Sequence, residues 1–268
     1  AHVWKTTSVL NQGKWIKIRV TGKGIVKIPY SKLTSLGFSN PLKVNVFGSG
    51  GTILSEDPGI INYDDLEQCA VWHDKNNGSD CLFFFSPGTT RWDLDASDSI
   101  FKHTLNDYAT KGYFFLTDNS GNEKIAQKLP VIQESATHSV NFGDAFQLYE
   151  NETENVLTLG KGLGSGRQWF CDKFKHSSVS NIDFDLTDIE PSEPVKIRIS
   201  AIARSYATSE MKLQVNQVEQ GAIKFYSVNT ASQTASYADQ EEKVFTVTIP
   251  GNLTRLTLKY FSNDINSG

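Results

Sequence analysis

The sequence predicts an all-β chain built from two β-sandwich or barrel-like domains, and three observations predict it. Apolar and polar residues alternate with a period of two along most of its length. Helix-period stretches are few, and none reaches the roughly 11 residues of an average helix. The strand-like runs are short and separated by Gly, Asn and Asp, the punctuation of sandwiches and barrels rather than of alternating βαβ units.

In order, KWIKIRV places Ile16, Ile18 and Val20 on one face and Lys17 and Arg19 on the other. A turn at Thr21–Gly24 follows, and GIVKI resumes with Val26 and Ile28 inward, so the pair reads as a hairpin. Ser31 is placed to cap a short helical turn carrying Leu33 and Leu36, which Gly37 would end. LKVNVF is a strand leading into Gly48–Gly51. Further helical turns are expected around Tyr63–Glu67 and Thr104–Tyr108, and strands at CLFFF and GYFFL. Residues 69–73 and 81–85 read as a hairpin around Asn77, with Cys69 facing Phe85 and His73 close to Cys81 on one face.

Residues 66–117 are densely aromatic, whereas 130–140 turn polar, with Pro130, Gln133, Glu134, Ser135 and His138. The division is therefore expected near residue 135, giving an N-terminal β domain (1–135) and a jelly-roll-like sandwich (136–268). The rhythm of the second half runs through Ile182, Phe184 and Leu186, then Ile197, Ile199 and Ala201. It continues through Met211, Leu213 and Val215, Phe245, Val247 and Ile249, and Leu256, Leu258 and Tyr260. The sequence stops at Asn266-Ser267-Gly268 with no closing strand after it, which reads as part of a longer protein.

The 268 residues include 38% hydrophobic side chains, with 16 Phe, 9 Tyr and 5 Trp, enough for sizeable cores. A net charge of −4 gives no basic face for nucleic acid. No apolar run approaches the roughly 20 residues of a membrane helix, and no signal peptide is visible.

Each chemical possibility has a plain structural reading beside it. The GSGG at Gly48–Gly51 follows a strand, but Pro58 blocks the helix whose amides would cradle phosphate, so a tight turn is the reading. The Gly160–Gly166 stretch lacks the Lys-Ser/Thr of a P-loop and reads as a bend. Histidines 2, 73, 103, 138 and 176 are too dispersed for a metal site, and no CxxC exists. Asp93, Asp95 and Asp98, and Asp118–Asn122, resemble the start of a calcium loop without its twelfth-position Glu. Ser165 is one place out of register for a nucleophile elbow. A Cys81–His73 dyad has no local sign of an oxyanion hole. Three cysteines, Cys69, Cys81 and Cys171, give no disulfide framework and read as thiols in the core; a Cys69–Cys81 bridge would need another register. Carboxylates at Asp64, Asp65 and Glu67, and at Asp183 and Asp185, read as solvated edges rather than a glycosidase pair. Trp15, on the polar side of its strand, is a candidate sugar platform or a surface covered by a neighbouring module. No catalytic, cofactor or metal residue is assigned, and the residues alone describe a β protein without a visible active site.

The order of the motifs says more. Gly13–Phe38 (GKWIKIRVTGKGIVKIPYSKLTSLGF) is followed by VNVFGSGG, then DDLEQCAVWHD, then DCLFFFSPG with Trp92 after it. FKHTLNDYATKGYFFLT comes next, and finally GRQWFCDKF at Gly166–Phe174. These six blocks resemble, in order, the opening of the type IX secretion sortases, PorU-like proteins of the gingipain-type C25 cysteine peptidase family. Cys171 and Asp172 stand where that family usually has Gly and Glu. Beyond residue 180 only generic strand rhythm remains. The resemblance implies a non-catalytic N-terminal scaffold or docking region of a secreted, cell-surface, outer-membrane-associated protein of Bacteroidetes type. Its Cys/His caspase-fold domain would lie downstream, and its partners would be that domain, secreted cargo or other secretion components. No position here matches the dyad, so no catalytic residue carries over. The competing reading is a free-standing carbohydrate-binding or adhesin-type sandwich.

Overall fold

A computed structural model describes the chain except residues 1–2, 58, 61–63, 98, 131–134, 142, 156–168, 230 and 233. It is built of β-strands in several open sheets, with one short helix, two single 3-10 turns and no closed barrel among the described residues. Two units divide it, Ala1–Thr137 and His138–Gly268.

The first unit contains β1 (Ile16–Val20), β2 (Gly24–Pro29), β3 (Asn45–Phe47), β4 (Val71–Asn76), β5 (Ser79–Ser86), β6 (Thr90–Asp95), β7 (Ile100–Leu105) and β8 (Gly112–Thr117). Their sheets are β1-β8-β3, β2-β5-β4 and the hairpin β6-β7. The expected β1–β2 hairpin does not form. β1 pairs antiparallel with β8, and β2 pairs with β5. The two strands instead feed one core from two sheets. Ile16, Ile18 and Val20 pack with Val26 and Ile28 against the fully buried Leu82, Phe84, Phe114 and Leu116. Alternation fixes which side chains turn inward but not which strand lies alongside, so a hairpin and a crossing between sheets read alike.

The helix α1 (Tyr30–Ser35) begins after Pro29, with no side-chain cap, so Ser31 does not have the capping role expected of it. Its end fits expectation. Gly37 takes φ +86°, its N–H donates to Thr34 O (2.8 Å), and Phe38 N–H donates to Leu33 O (3.2 Å). Leu33 and Phe38, which bracket this Schellman turn, are both fully buried. Lys14 Nζ donates to the Leu36 and Gly37 carbonyls (2.8 Å each), neutralising the helix's exposed oxygens. Among the described residues no helix forms at either of the other two expected helical turns. Thr104 and Leu105 belong to β7, residues 64–67 are extended or bent, and Tyr63 lies outside the described residues.

The second unit contains β9 (Glu154–Asn155), β10 (Trp169–Phe170), β11 (Val179–Leu186), β12 (Val195–Ala203), β13 (Ser209–Val215), β14 (Val218–Phe225), β15 (Asp239–Val247) and β16 (Leu253–Ser262). β11 pairs with β16, β12 with β15, and β13 with β14, all antiparallel. Such nested pairing is what rolling up one long hairpin produces, which is the jelly-roll principle. β13 also joins β16, completing the sheet β11-β16-β13-β14, which faces the pair β12-β15. Between them lie the predicted inward residues, among them Ile182, Ile197, Met211, Leu213, Phe245 and Leu258. Burying one such side chain contributes roughly 1.5–3 kcal/mol.

Candidate functional site

Pairing in the β4–β5 hairpin decides the thiol question. Asn77 and Gly78 both take positive φ (+50° and +79°), as a two-residue type I′ turn requires. The register therefore shifts by one place from a loop centred on Asn77. Val71 faces Phe84, His73 faces Leu82, and Asp74 faces Cys81. Directly opposed residues share a face and neighbours along a strand alternate, so His73 and Cys81 project from opposite faces. His73 Nδ1 instead meets the Tyr30 hydroxyl at 2.7 Å, and Glu123 lies 3.9 Å from Nε2. Burial raises the Tyr30 phenol above its ordinary range, with the nearby Asp80 and Glu123 charges adding to it.

All three cysteines are free. Cys81 is buried and Cys69 half-buried, its Sγ 3.2 Å from Gly48 O. Burial pushes the Cys69 thiol up to about 11 and raises that of Cys171. A raised thiol is protonated at neutral pH and a poor nucleophile.

Asp64, Asp65, Asp93, Asp95 and Asp183 have structural employment. Asp64 accepts from Lys5 N–H (2.7 Å), while Asp65 accepts from Val9 N–H (2.7 Å) and the Ser8 hydroxyl (2.9 Å). Against the upward push of desolvation, hydrogen bonds from the Val9 and Leu66 amides and from Ser8 hold Asp65 below the usual carboxylate range. Asp183 lies on the wet face of β11, 2.6 Å from Arg255 across the ladder. Asp93 pairs with Arg91 (2.7 Å) and Asp95 with Lys102 (2.6 Å). The Lys102 hydrogen bond, aided by Ser97, holds Asp95 well below its ordinary range. Asp98, the third member of the suspected calcium loop, lies outside the described residues. Among the described residues no three His, Cys, Asp or Glu side chains gather as a metal site.

The GSGG motif is a close-contact turn. Gly48, Gly50 and Gly51 all take positive φ, Thr52 N–H closes onto Ser49 O, and no helix follows among the described residues before β4. A side chain at Gly51 would meet Thr89 Cγ2 at 2.6 Å and Gly112 Cα at 3.2 Å. Trp15 is half-buried, packed edge-on against Phe47 (5.2 Å), with its Nε1–H donated to Gln12 O (2.7 Å), so it offers no free platform. Gly160–Gly166 and Ser165 lie outside the described residues. In the last block, Asp172 accepts from the Tyr149 hydroxyl (3.0 Å) and from Ser180 Oγ (2.7 Å), tying this segment to β11.

Two surfaces escaped the sequence reading. On the outer face of β2-β5-β4, Ile25 and Phe85 are directly opposed and 58% and 49% exposed, and Trp72 stacks on Phe83 (5.2 Å, 11° between rings). The signal was the unbroken run CLFFF: in a strand with period two, five consecutive apolar residues force Phe83 and Phe85 onto the outer face. The other surface is a groove of about 430 Å³ over β16 and β13, lined by Val179, Lys212, Lys259 and Phe261 among others.

No family model and no curated protein matches the sequence. Among solved structures, the chain is similar to the crystal structure of dimeric latent PorU from Porphyromonas gingivalis, with a TM-score of 0.77 and 26% identity. The match covers 97% of this chain but 24% of that one, so the chain spans about a quarter of the structure it resembles. The resemblance read from six ordered motifs therefore holds at the level of the fold: this chain has the architecture of a region of PorU, a type IX sortase of the C25 family.

Proposed function

We propose that the chain is a non-catalytic, amino-terminal β scaffold of a secreted, cell-surface cysteine peptidase of the PorU type. Its role is to position a downstream catalytic domain or to dock cargo. The observation that carries this reading is the match along 97% of the chain to only 24% of PorU, which leaves most of that protein for other work. The site geometry agrees with it. His73 and Cys81 project from opposite faces, and Asp64, Asp65 and Asp183 are occupied in structural bonds. An exposed apolar face such as that around Ile25 and Phe85 is the kind of surface that docking uses.

Turnover assays test the proposal. The purified chain, offered a panel of fluorogenic peptides under reducing conditions, is expected to give no hydrolysis above buffer. Hydrolysis that disappears in Cys81→Ala or His73→Ala would refute it.

A further inference from the structure

Basic residues gather at one end of the sequence. The first 55 residues hold eight of the 26 Lys and Arg and none of the 30 Asp and Glu, so this stretch is cationic within a chain whose net charge is −4. It contains β2, an edge strand: β5 is its ladder partner on one side, and among the described residues no strand pairs with the other. The free side of an edge strand presents unpaired backbone N–H and C=O groups, a template for a further strand. Exposed Lys23, just before β2, and exposed Lys27, within it, bracket Ile25, which faces Phe85 across the ladder on the same exposed apolar surface. Neither lysine has a carboxylate at ion-pair distance among the described residues. Lys27 Nζ donates to the neutral Asn76 Oδ1 (3.0 Å), which leaves its charge uncompensated. Asp74 shares the outer face but lies beyond β5 on β4, where it accepts from Lys75 N–H (2.7 Å).

We propose that the free edge of β2 docks an acidic extended segment of a partner protein by strand addition. An apolar side chain of that segment lies beside Ile25, and carboxylates two residues before and after it lie beside Lys23 and Lys27. Side chains two apart along a strand share a face, so this spacing puts all three on one face of the added strand. Backbone hydrogen bonds supply the affinity of strand addition, and the alternate side chains supply its specificity. A polyphosphate or acidic glycan would meet the lysines but has no strand backbone for the edge and nothing apolar for Ile25. A second copy of β2, paired antiparallel about Ile25, would set Lys23 against Lys27, and like charges opposite each other destabilise a strand pair. The lysines thus guard the edge against self-pairing while admitting an acidic strand. Docking at this edge deepens the scaffold reading and rests on it for the expectation of a protein partner, but the two fail separately. Peptide hydrolysis by the chain would end the scaffold reading and leave strand binding measurable, whereas absence of strand binding leaves the likeness to PorU intact.

The test is a fluorescence-anisotropy titration of the whole 268-residue chain against a fluorescein-labelled peptide TETITET. Saturable binding is expected, weakening as salt rises. The permuted peptide EETTTTI, of the same composition and charge, should bind at least about tenfold more weakly, and TKTITKT should not bind. The double variant Lys23→Glu with Lys27→Glu should lose TETITET by at least about tenfold and gain TKTITKT, a reversal that mere unfolding cannot produce. Lys224→Glu, the same charge change at an exposed position of the second unit, should leave binding unchanged; circular dichroism verifies that every variant is folded. Hydrogen exchange of the edge-facing amides within Gly24–Ile28 should slow when TETITET is bound. Absence of saturable binding overturns the proposal. So does equal binding of the permuted peptide or displacement by equimolar tripolyphosphate, either of which would mark a plain anion patch. Dimerisation of the wild-type chain that Ile25→Arg abolishes would assign the edge to a second copy and overturn it as well.

Discussion

Replacing Gly112 by Ala tests whether the glycine-rich turn is a packing device. Gly112 is buried at the start of β8, opposite Val20. An added Cβ would collide with the Gly50 carbonyl oxygen, lie 2.5 Å from its carbon and 3.1 Å from its Cα. These are backbone atoms, held on one side by the β8 ladder and on the other by the turn after β3, so neither can rotate away. Overpacking typically costs about 1–3 kcal/mol, and a collision with backbone belongs at the upper end. Lower unfolded-state entropy returns roughly 0.4–1 kcal/mol. The net loss is about 2 kcal/mol, or about 4–8 °C in Tm at the roughly 2–4 °C per kcal/mol usual for domains of this size. Gly22→Ala is the control. Its Cβ meets nothing within 4 Å and its φ is not in the left-handed region, so Tm should hold or rise slightly. Both are read by thermal unfolding followed by circular dichroism. Equal Tm values for the two variants would refute the close-approach argument.

Three further outcomes are expected. Leu213→Ala, at a fully buried position in the second core, should cost about 2–5 kcal/mol by urea unfolding, whereas Val218→Ala, at a position 62% exposed, should cost far less. Asp65 has its pKa depressed in the folded state, so its contribution is present above the ordinary carboxylate pKa near 4 and is lost as pH falls through the lower folded value. Hydrogen exchange at Val9 N–H, normalised for intrinsic rates, should therefore lose protection below about pH 4, and Asp65→Ala should lose it at neutral pH as well. Brief iodoacetamide treatment at pH 7.5 should leave Cys69, Cys81 and Cys171 unmodified until denaturant is added; rapid native labelling of Cys81 would contradict its burial.

Much of the architecture was legible because burial alternates with strand geometry. Met211, Leu213 and Val215 turn inward as their spacing requires, and so do Phe245 and Val247. Neighbour choice was not legible. Ile16–Val20 and Gly24–Pro29 satisfy the same alternation whether they pair with each other or face each other across a core, and distant partners, β8 and β5, decided it. A single residue of register mattered more for chemistry. Treating Asn77 as the centre of the turn puts His73 near Cys81 on one face, whereas the Asn77–Gly78 turn separates them. The groove was hidden for a related reason. Lys212 and Lys259 are 47 residues apart and meet only because β13 joins β16, a pairing no local pattern announces. The apolar patch, by contrast, was present in CLFFF as an interruption of the alternation.

The central proposal, that this β architecture serves a separate catalytic domain, is tested most directly by the sequence of the full-length mature protein. The account predicts a chain continuing well past Gly268 into a domain that supplies a cysteine nucleophile and a histidine base. A mature protein that terminates at Gly268, or one whose continuation lacks such a pair, would contradict it.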